Sequence, residues 1–394
     1  NKITEIEIAA GITAIGAHAF EGYEKISKIE LPDSVTELGE YAFNHCSGVT
    51  SVRLSNNLTE IKATALSDLG TTSNVAGSNP ISITLPDSLL YIGGKAFSLS
   101  NGSGLKGDLT IPDNVQSIGE DAFVNNHGLT GNLTIGKSVK EIGRGAFSSC
   151  NFTGKLSVPG SVTKIGEKAF MNNKFTSIQI ANGVTSIGEY AFSGCTSVHS
   201  IDLSSIAQAT YGDNAFASMS TKLIYVDNLT QKSTVESTQG FTSSVFAITN
   251  GGTFAENATF EEGKLAIPEK TDYTFKGWYE NAEFDGNAVT TAETGKTYYA
   301  KWEPAPVAAT MTATTSKSDY LVNTPVDVNI AIAPGTDMSK ILNGSVALTY
   351  GDEVEKVELN GKELTEKEYI VRELAQKLTS QSSNSQSSNI KATL

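Results

Sequence analysis

The chain has few of the residues from which catalytic and metal sites are usually built. Its 394 residues include only three cysteines, four histidines and two tryptophans. An odd number of widely spaced cysteines is not a disulfide framework. No apolar run approaches the roughly 20 residues that a membrane span needs. The sequence therefore predicts neither a disulfide scaffold nor membrane insertion in this fragment.

Basic residues are also scarce. Lys and Arg number 29 against 43 Asp and Glu, which gives a formal net charge of −14. Nucleic-acid binding needs a basic stripe, and none is present, so we expect no nucleic-acid partner. The length favours two or three domains. The many Gly, Ser, Thr and Asn residues suit short strands and tight turns better than long helices.

Motifs of enzymatic chemistry are missing as well. The sequence has no Walker loop, dinucleotide-binding glycine motif, His-Glu-x-x-His or EF-hand loop. The histidines, at positions 18, 45, 127 and 199, stand apart from one another along the chain and suggest no catalytic triad. We expect no catalytic residues, no cofactor, no metal and no enzymatic activity.

An Ala-Phe pair recurs through the first half of the chain at intervals of about 23 residues. Leu66 takes the place of Phe in one copy. The phenylalanines of the other copies are Phe20, Phe43, Phe97, Phe123, Phe147, Phe170, Phe192 and Phe216. A fixed period in the twenties predicts a solenoid in which each copy buries its apolar edge only against its neighbours.

Each copy has the same internal order. An apolar-polar-apolar triplet predicts a short strand with one buried face, and in several copies a proline such as Pro32 ends it. A second short apolar stretch and a glycine such as Gly39 follow. We expect the Ala-Phe pair that follows to lie on a short helical or 3₁₀ turn. The phenylalanine rings of successive copies are expected to stack in a column along the core of the solenoid.

Segments such as residues 31–46, LPDSVTELGEYAFNHC, resemble the bacterial BspA-like leucine-rich repeat. The resemblance covers about residues 1–226 in ten copies. It implies a secreted or surface-attached bacterial protein, and several members of that family are described as adhesins. Because the chain opens inside a repeat, we expect it to be a mature or trimmed fragment.

The cysteines fit this repeat. Cys46, Cys150 and Cys195 each lie three residues after a repeat phenylalanine, where Asn126 and Asn173 stand in other copies. We expect all five to be buried partners for the backbone of the turn.

Two copies carry insertions, at residues 67–79 and around residues 100–104. Such loops leave a solenoid on one side and often carry recognition. The alternative, a tolerated loop without a role, is favoured here.

Residues 246–303 form a different unit, with Asn-Gly-Gly at 250–252, Gly-Trp-Tyr at 277–279 and Tyr-Ala-Lys-Trp at 299–302. This order resembles the internalin-type B repeat (Listeria–Bacteroides repeat), which implies a small β-grasp-like module with a short helix. We expect Trp278 and Trp302 to serve its core rather than a sugar platform.

The fold expected overall is mainly β with short helical turns. It comprises a solenoid with its C-terminal cap over residues 1–245, the module 246–303, and a linker with an Ig-like β-sandwich over 304–394. In the last part, an Asn-Gly turn at 360–361 predicts a hairpin, and the Ser/Gln/Asn tract 380–389 is expected to be flexible.

The candidate ligand-binding residues lie between the two apolar residues of each strand triplet and should point away from the core. We call them the outward row. They are Glu7, Glu30, Arg53, Thr84, Thr110, Thr134, Ser157, Gln179, Asp202 and Tyr225. A solvated face with no ligand is the equally weighted alternative.

These features predict a monomeric, non-enzymatic, extracellular bacterial surface protein. Its expected work is adhesion to a host extracellular-matrix or cell-surface protein, or to a neighbouring cell, through the strand face. One alternative is a glycan-binding component of a polysaccharide-handling system, and another is a structural stalk.

Overall fold

The computed structural model describes residues 3–70, 81–100, 104–219, 221–239, 241 and 244–305, and the backbone of five strands farther along. The chain divides into two compact units, Asn1–Glu303 and Pro304–Leu394. The insertion residues 71–79 and 101–103 lie outside the described residues.

The turns of the solenoid contribute short parallel strands to two sides, which enclose an apolar core. The first sheet runs through nine short strands in chain order. They are Ala14–Ile15, Glu37–Leu38, Glu60–Ile61, Tyr91–Ile92, Ser117–Ile118, Glu141–Ile142, Lys164–Ile165, Ser186–Ile187 and Thr210–Tyr211.

The second side of the solenoid carries the strand face expected from the sequence. Its first strands form two separate pairs, Lys28–Glu30 with Ser51–Arg53 and Leu109–Thr110 with Leu133–Thr134. A seven-stranded sheet follows. Its order is Lys155–Val158, Ser177–Ile180, Ser200–Asp202, Leu223–Val226, Val245–Ile248, Thr297–Pro304 and Tyr273–Tyr279.

The phenylalanine column is confirmed. The rings of Phe123, Phe147 and Phe170 stack at centroid distances of 5.3 and 5.6 Å with their planes within 11° of parallel. The adjacent backbones are bonded too, because the Phe147 N–H donates to the Ala169 carbonyl at 2.8 Å. The column is interrupted at Leu66, which is buried in the same core.

The Ala-Phe segment is not a regular helix. It is a chain of tight turns, in which the Ala42 N–H donates to the Gly39 carbonyl at 3.2 Å. The residue before the Ala-Phe (or Ala-Leu) pair has a positive φ in all nine copies, as at Tyr41 and Lys168. This left-handed residue reverses the local curvature and prevents the helical or 3₁₀ turn expected from the sequence.

The repeat glycines are required by close approach of neighbouring turns. A Cβ placed on Gly143 would lie 2.5 Å from the carbonyl carbon of Gly119 in the preceding turn. Gly16 occupies the same place in the first described turn, and a Cβ there would meet nothing within 4 Å. The glycine therefore allows backbone to stack directly on backbone.

The repeats end in a helix, and their sheet then continues into the next segment. Helix Leu229–Gln239 begins after Asn228, whose Oδ1 accepts the Gln231 N–H at 2.9 Å as an N-cap. Strand Val245–Ile248 then pairs in parallel with Leu223–Val226 and with Thr297–Pro304. Residues 246–303 thus extend the sheet of the repeats rather than forming a sheet of their own.

The β-grasp-like module implied by the B-repeat resemblance is not supported. Residues 246–303 are all described and contain no helix. They build a second apolar core on the outer side of the sheet, which includes Tyr225, Trp278 and Tyr298.

In the second unit the structure describes two small antiparallel sheets. Asp327–Ile332 lies between Met311–Thr315 and Ile390–Thr393. Val357–Leu359 pairs with Lys362–Leu364, as the hairpin prediction requires. The Asn-Gly turn itself and the tract 380–389 lie outside the described residues, and the Ig-like sandwich stays a prediction.

We predict that Phe147→Ala will destabilise the solenoid by about 3–5 kcal/mol, the usual cost of deleting a core aromatic. The Phe147 side chain is fully buried and contacts a ring on either side. Thr134→Ala, on the exposed face, should change the free energy of unfolding by less than about 0.5 kcal/mol. Chemical denaturation measures both, and equal losses would contradict the inward and outward assignment.

We also predict that Gly143→Ala will lower the free energy of unfolding by about 1–3 kcal/mol, because the added methyl group overlaps the backbone of the preceding turn. Gly16→Ala is the matched control, since its methyl group meets open space. It should be neutral or slightly stabilising. Similar effects of the two substitutions on the denaturation midpoint would refute the close-approach explanation.

Candidate functional site

The first part of the outward row is accessible, as predicted. Ser157, at its end, is half-buried. The six residues before it are exposed, namely Glu7, Glu30, Arg53, Thr84, Thr110 and Thr134. Strand pairing places Glu30 opposite Arg53 and Thr110 opposite Thr134, so residues of successive repeats stand side by side on this face. We call these seven residues the open face.

The N-terminal end of the open face carries compensating charges. Lys28 Nζ lies 2.7 Å from a carboxylate oxygen of Glu30, and Arg53 Nη2 lies 3.0 Å from Asp33 Oδ1. The hydrogen bond from Lys28 lowers the pKa of the Glu30 carboxyl. These exposed pairs order the surface but contribute little to stability.

The middle of the open face consists of three uncharged residues. Thr84, Thr110 and Thr134 present one small polar side chain each. Short β-branched side chains lose little conformational entropy when a partner covers them. This stretch can accept a partner without first displacing a bound charge.

The prediction of exposure is wrong for Gln179, Asp202 and Tyr225. Gln179 is 6% exposed, and Asp202 and Tyr225 are 0% exposed. Residues 253–266 lie over the strand face from Lys155 onward. We call this segment the cover.

Tyr225 is held by apolar packing. Its ring lies 4.7 Å from the ring of Phe254 and 6.1 Å from that of Trp278, measured between centroids. Its hydroxyl accepts the Ala266 N–H at 2.8 Å. Strand Leu223–Val226 is therefore buried on both faces. Its unbroken apolar sequence could have predicted this burial, because strands buried on both faces lose the alternation of polar and apolar residues.

Gln179 and Lys155 are held by polar contacts. Gln179 Nε2 donates to the carbonyls of Phe254 at 3.1 Å and Ala255 at 3.2 Å. Lys155 Nζ donates to the carbonyls of Glu256 at 2.7 Å and Ala258 at 2.9 Å. Burial lowers the pKa of the Lys155 ammonium. The repeat pattern alone does not predict that these two polar side chains are covered by another segment.

Asp202 is a buried carboxylate beneath the cover. Its Oδ1 accepts the Ser204 N–H at 3.0 Å and the Ser204 hydroxyl at 2.6 Å, and its Oδ2 lies 3.3 Å from Gln179 Nε2. Desolvation raises the pKa of the carboxyl to about 6, although the bonds from Ser204 and Gln179 and the charge of Lys155 oppose the rise. Asp202 therefore changes charge in mildly acidic solution.

A cleft of about 820 Å³ opens where the open face meets the cover. Residues 157–161, 181–185 and 204–209 form its floor and one side, and Thr253, Phe254 and Glu256 of the cover close the other. The three floor segments follow successive parallel strands, so the cleft crosses three turns of the solenoid.

The cysteines are buried partners of the turns, as predicted. The thiols of Cys46, Cys150 and Cys195 donate to the carbonyls of Phe20, Phe123 and Phe170. Burial raises the pKa of Cys46 to about 11 and that of Cys195 to about 12, so neither is a thiolate at neutral pH.

The amide side chains of Asn126 and Asn173 do the same work, because Nδ2 of each donates to repeat phenylalanine carbonyls. No His, Cys, Asp and Glu cluster suited to a metal occurs among the described residues. In the same part of the chain, no helix is long and apolar enough to cross a membrane.

The profile of a family described as "BspA type Leucine rich repeat region (6 copies)" matches residues 1–130, 76–163 and 126–244. Together these ranges cover more than half of the chain. The chain belongs to the BspA-type leucine-rich-repeat family. The solenoid, its buried Cys/Asn position and its phenylalanine column all lie within the matched residues.

Several solved structures are similar in part. A leucine-rich-repeat protein from Bacteroides ovatus is 24% identical over 55% of this chain and 59% of its own, with a TM-score of 0.39. A leucine-rich cell-surface protein from Faecalibacterium prausnitzii is 20% identical over 57% and 80%, with a TM-score of 0.24. The pneumococcal vaccine antigen PcpA is 19% identical over 58% and 69%, with a TM-score of 0.32.

These superpositions are too loose to carry an argument about function. The chain spans less than two thirds of the length of the Bacteroides ovatus protein. No curated protein matches the chain significantly.

We predict that Asp202 makes stability fall as pH rises between about 4 and 6. Its carboxyl has a folded-state pKa of about 6, above the usual value near 4, so the folded protein binds a proton that the unfolded chain releases. The stabilisation is complete below about pH 4 and is lost as the pH passes through about 6.

Asp202→Asn should remove this part of the pH dependence, because the amide does not titrate. The measurement is the free energy of unfolding of both proteins between pH 4 and 7. Parallel curves would show that Asp202 does not titrate in this range.

Proposed function

We propose that this protein is a non-enzymatic protein of the bacterial cell surface that binds a protein on a host or neighbouring cell through its open face. The observation that carries the proposal is the accessible strand face of a BspA-type solenoid, on which strand pairing sets Glu30 beside Arg53 and Thr110 beside Thr134. Membership of that family supports an adhesion role and a surface or secreted location.

The shape of the open face suits a protein partner. Neighbouring strands of a sheet lie about 4.8 Å apart, so the two strand pairs of this face set side chains of adjacent turns close together and offer a partner an extended contact. Its charged end around Arg53 can steer a partner, and its threonine stretch can pack against one. A soluble matrix protein or an extended segment of a cell-surface protein fits this geometry.

The proposal involves no catalytic chemistry. Two of the histidines, His18 and His45, stand at exposed positions, where Nδ1 of each contacts a carboxylate oxygen, of Glu21 and Asp68 respectively. The free cysteines are buried with raised pKa values. We therefore place function in binding and expect no cofactor.

The glycan-binding alternative has less support. It would need exposed aromatic rings, and Trp278 is 1% exposed, with its Nε1 donating to the Ala266 carbonyl at 2.8 Å. Trp302 is half-buried and donates to the Thr249 carbonyl at 2.7 Å. Both indoles serve the second core, as expected from the sequence.

The test compares the whole chain on a panel of purified extracellular-matrix and cell-surface proteins with the same chain on a glycan array. We predict retention on the protein panel. The double variant Thr110→Arg, Thr134→Arg should weaken binding by about tenfold or more, because it adds bulk and charge at the centre of the contact. Thr163→Arg, exposed beside the other sheet, is the matched control and should bind normally.

Three outcomes would contradict the proposal. Equal weakening by the control would show that the open face is not the contact. Glycan binding that is sensitive to Trp302→Ala, and not to the threonine variants, would favour the glycan alternative. Absence of binding to either panel would favour a stalk.

A further inference from the structure

We propose that Asn182 is a site of spontaneous deamidation in the folded chain, with water as the co-reactant. The backbone nitrogen of Gly183 loses its proton to solvent and attacks Cγ of Asn182. The bond between Cγ and Nδ2 breaks, ammonia leaves, and a succinimide ring forms. Water then opens the ring at either carbonyl and leaves aspartate or isoaspartate at position 182.

The Asn-Gly dipeptide is the sequence in which this ring closes most readily. Glycine has no Cβ to obstruct the attack, and its backbone reaches conformations that other residues rarely adopt. The pairs Asn182-Gly183 and Asn250-Gly251 both lie among the described residues. Three further Asn-Gly pairs, at 101–102, 343–344 and 360–361, lie outside them.

The reacting groups at Asn182 are accessible and unrestrained. Asn182 and Gly183 are both exposed. Neither the side-chain amide of Asn182 nor the N–H of Gly183 forms a hydrogen bond with a described residue. The backbone at Gly183 has a φ of +115°, a conformation that favours glycine. The attacking nitrogen and the carbon that it attacks are therefore free to approach each other.

The turn that carries this pair also lacks a bond that closes the equivalent turns. In the turn at residues 159–162, the Val162 N–H donates to the Pro159 carbonyl at 3.1 Å. No corresponding bond joins Val184 to Ala181 in the described structure. The equivalent turns are closed by N–H groups of Ile12, Val35, Leu58, Leu89, Val115, Val139 and Val162.

The preceding turn of the solenoid explains why Asn182 is unrestrained. In an earlier pair of turns, Asp33 Oδ1 accepts the N–H of Asn56, the equivalent residue of the next turn, at 3.1 Å. Gly160 occupies the place of Asp33 before Asn182 and has no side chain. The Asn182 N–H accordingly finds no acceptor among the described residues.

Asn250-Gly251 is the same dipeptide in a protected setting. Asn250 Nδ2 donates to the Ala300 carbonyl at 2.9 Å, which fixes the side-chain amide. The Gly251 N–H donates to Asp227 Oδ1 at 2.7 Å. A carboxylate that accepts this hydrogen bond disfavours loss of the proton, because the resulting nitrogen anion would face a negative charge. We therefore expect Asn250 to resist the reaction that Asn182 undergoes.

The conversion changes the surface beside the cleft, which Asn182 and Gly183 line. Either product adds one negative charge at neutral pH. Aspartate gives this turn the residue that Asp33 supplies at the equivalent place. Isoaspartate instead lengthens the main chain by one methylene group between strands Ser177–Ile180 and Ser186–Ile187.

The test ages the whole folded chain in mildly alkaline buffer and follows each Asn-Gly pair by peptide mass spectrometry. Proteolysis at acidic pH limits deamidation during handling, and electron-transfer fragmentation distinguishes isoaspartate from aspartate. We expect both products at position 182, formed about tenfold or more faster than at position 250, where two hydrogen bonds must first break.

Ageing in guanidinium chloride is the control for sequence effects. Unfolding removes the bonds at Asn250, so the two sites should then react at similar rates. Asn182→Gln is the matched variant, because its side chain would have to close a larger and less favourable ring. The mass increase should disappear from the peptide that contains position 182, which excludes Gln179 and Asn214 as its source.

The proposal is overturned if Asn182 stays unconverted in the folded chain, or if Asn250 converts as fast as Asn182 there. It is also overturned if the mass increase persists in Asn182→Gln, or if the difference between the two sites persists in guanidinium chloride. The binding tests of the open face do not affect these outcomes, since ageing requires no partner.

Discussion

Direct stacking of backbone on backbone between successive turns is the constraint on which the rest of the structure depends. At Gly143 the approach leaves no room for a Cβ. The hydrogen bond from Phe147 N–H to the Ala169 carbonyl and the ring stack of Phe147 on Phe170 both require that approach. A wider spacing would break the backbone ladder and open the phenylalanine column together. Glycine, alanine and phenylalanine therefore recur together. The glycine permits the close approach of two turns, the alanine carbonyl accepts the hydrogen bond between them, and the phenylalanine rings stack.

That stacking also generates the outward row, because each turn places one side chain beside its equivalent in the next. Whether the residues of this row are exposed or buried depends on whether another segment of the chain covers them. Over Thr110 and Thr134 there is no covering element among the described residues, and the face stays accessible. From Gln179 onward the cover turns the same positions of the repeat into an interior. The same repeat phase thus produces an accessible surface in one part of the chain and a buried contact in another.

Much of this organisation could be predicted from the sequence. The phenylalanine column, the alternation within strands such as Lys28–Glu30 and the structural role of Cys150 and Asn173 follow from the repeat pattern. The burial of Gln179 and Asp202 could not be predicted, because their partners lie in a segment outside the repeat pattern. The left-handed residue before each Ala-Phe pair was also missed, since residues such as Lys168 do not ordinarily favour that conformation.

The two ends of the cover differ in how they hold the strand face. At Tyr225 the contact is apolar, joins the second core and leaves the phenol hydroxyl bonded. At Gln179 and Asp202 the contact is polar, includes a carboxylate whose pKa is raised by burial, and leaves one acceptor without a donor. Apolar burial stabilises in proportion to area, whereas a buried polar group destabilises unless every bond is made. The Tyr225 end is therefore the fixed anchor of the cover. The Gln179 end holds the cover at a cost in desolvation, since Gln179 Oε1 is buried without a donor.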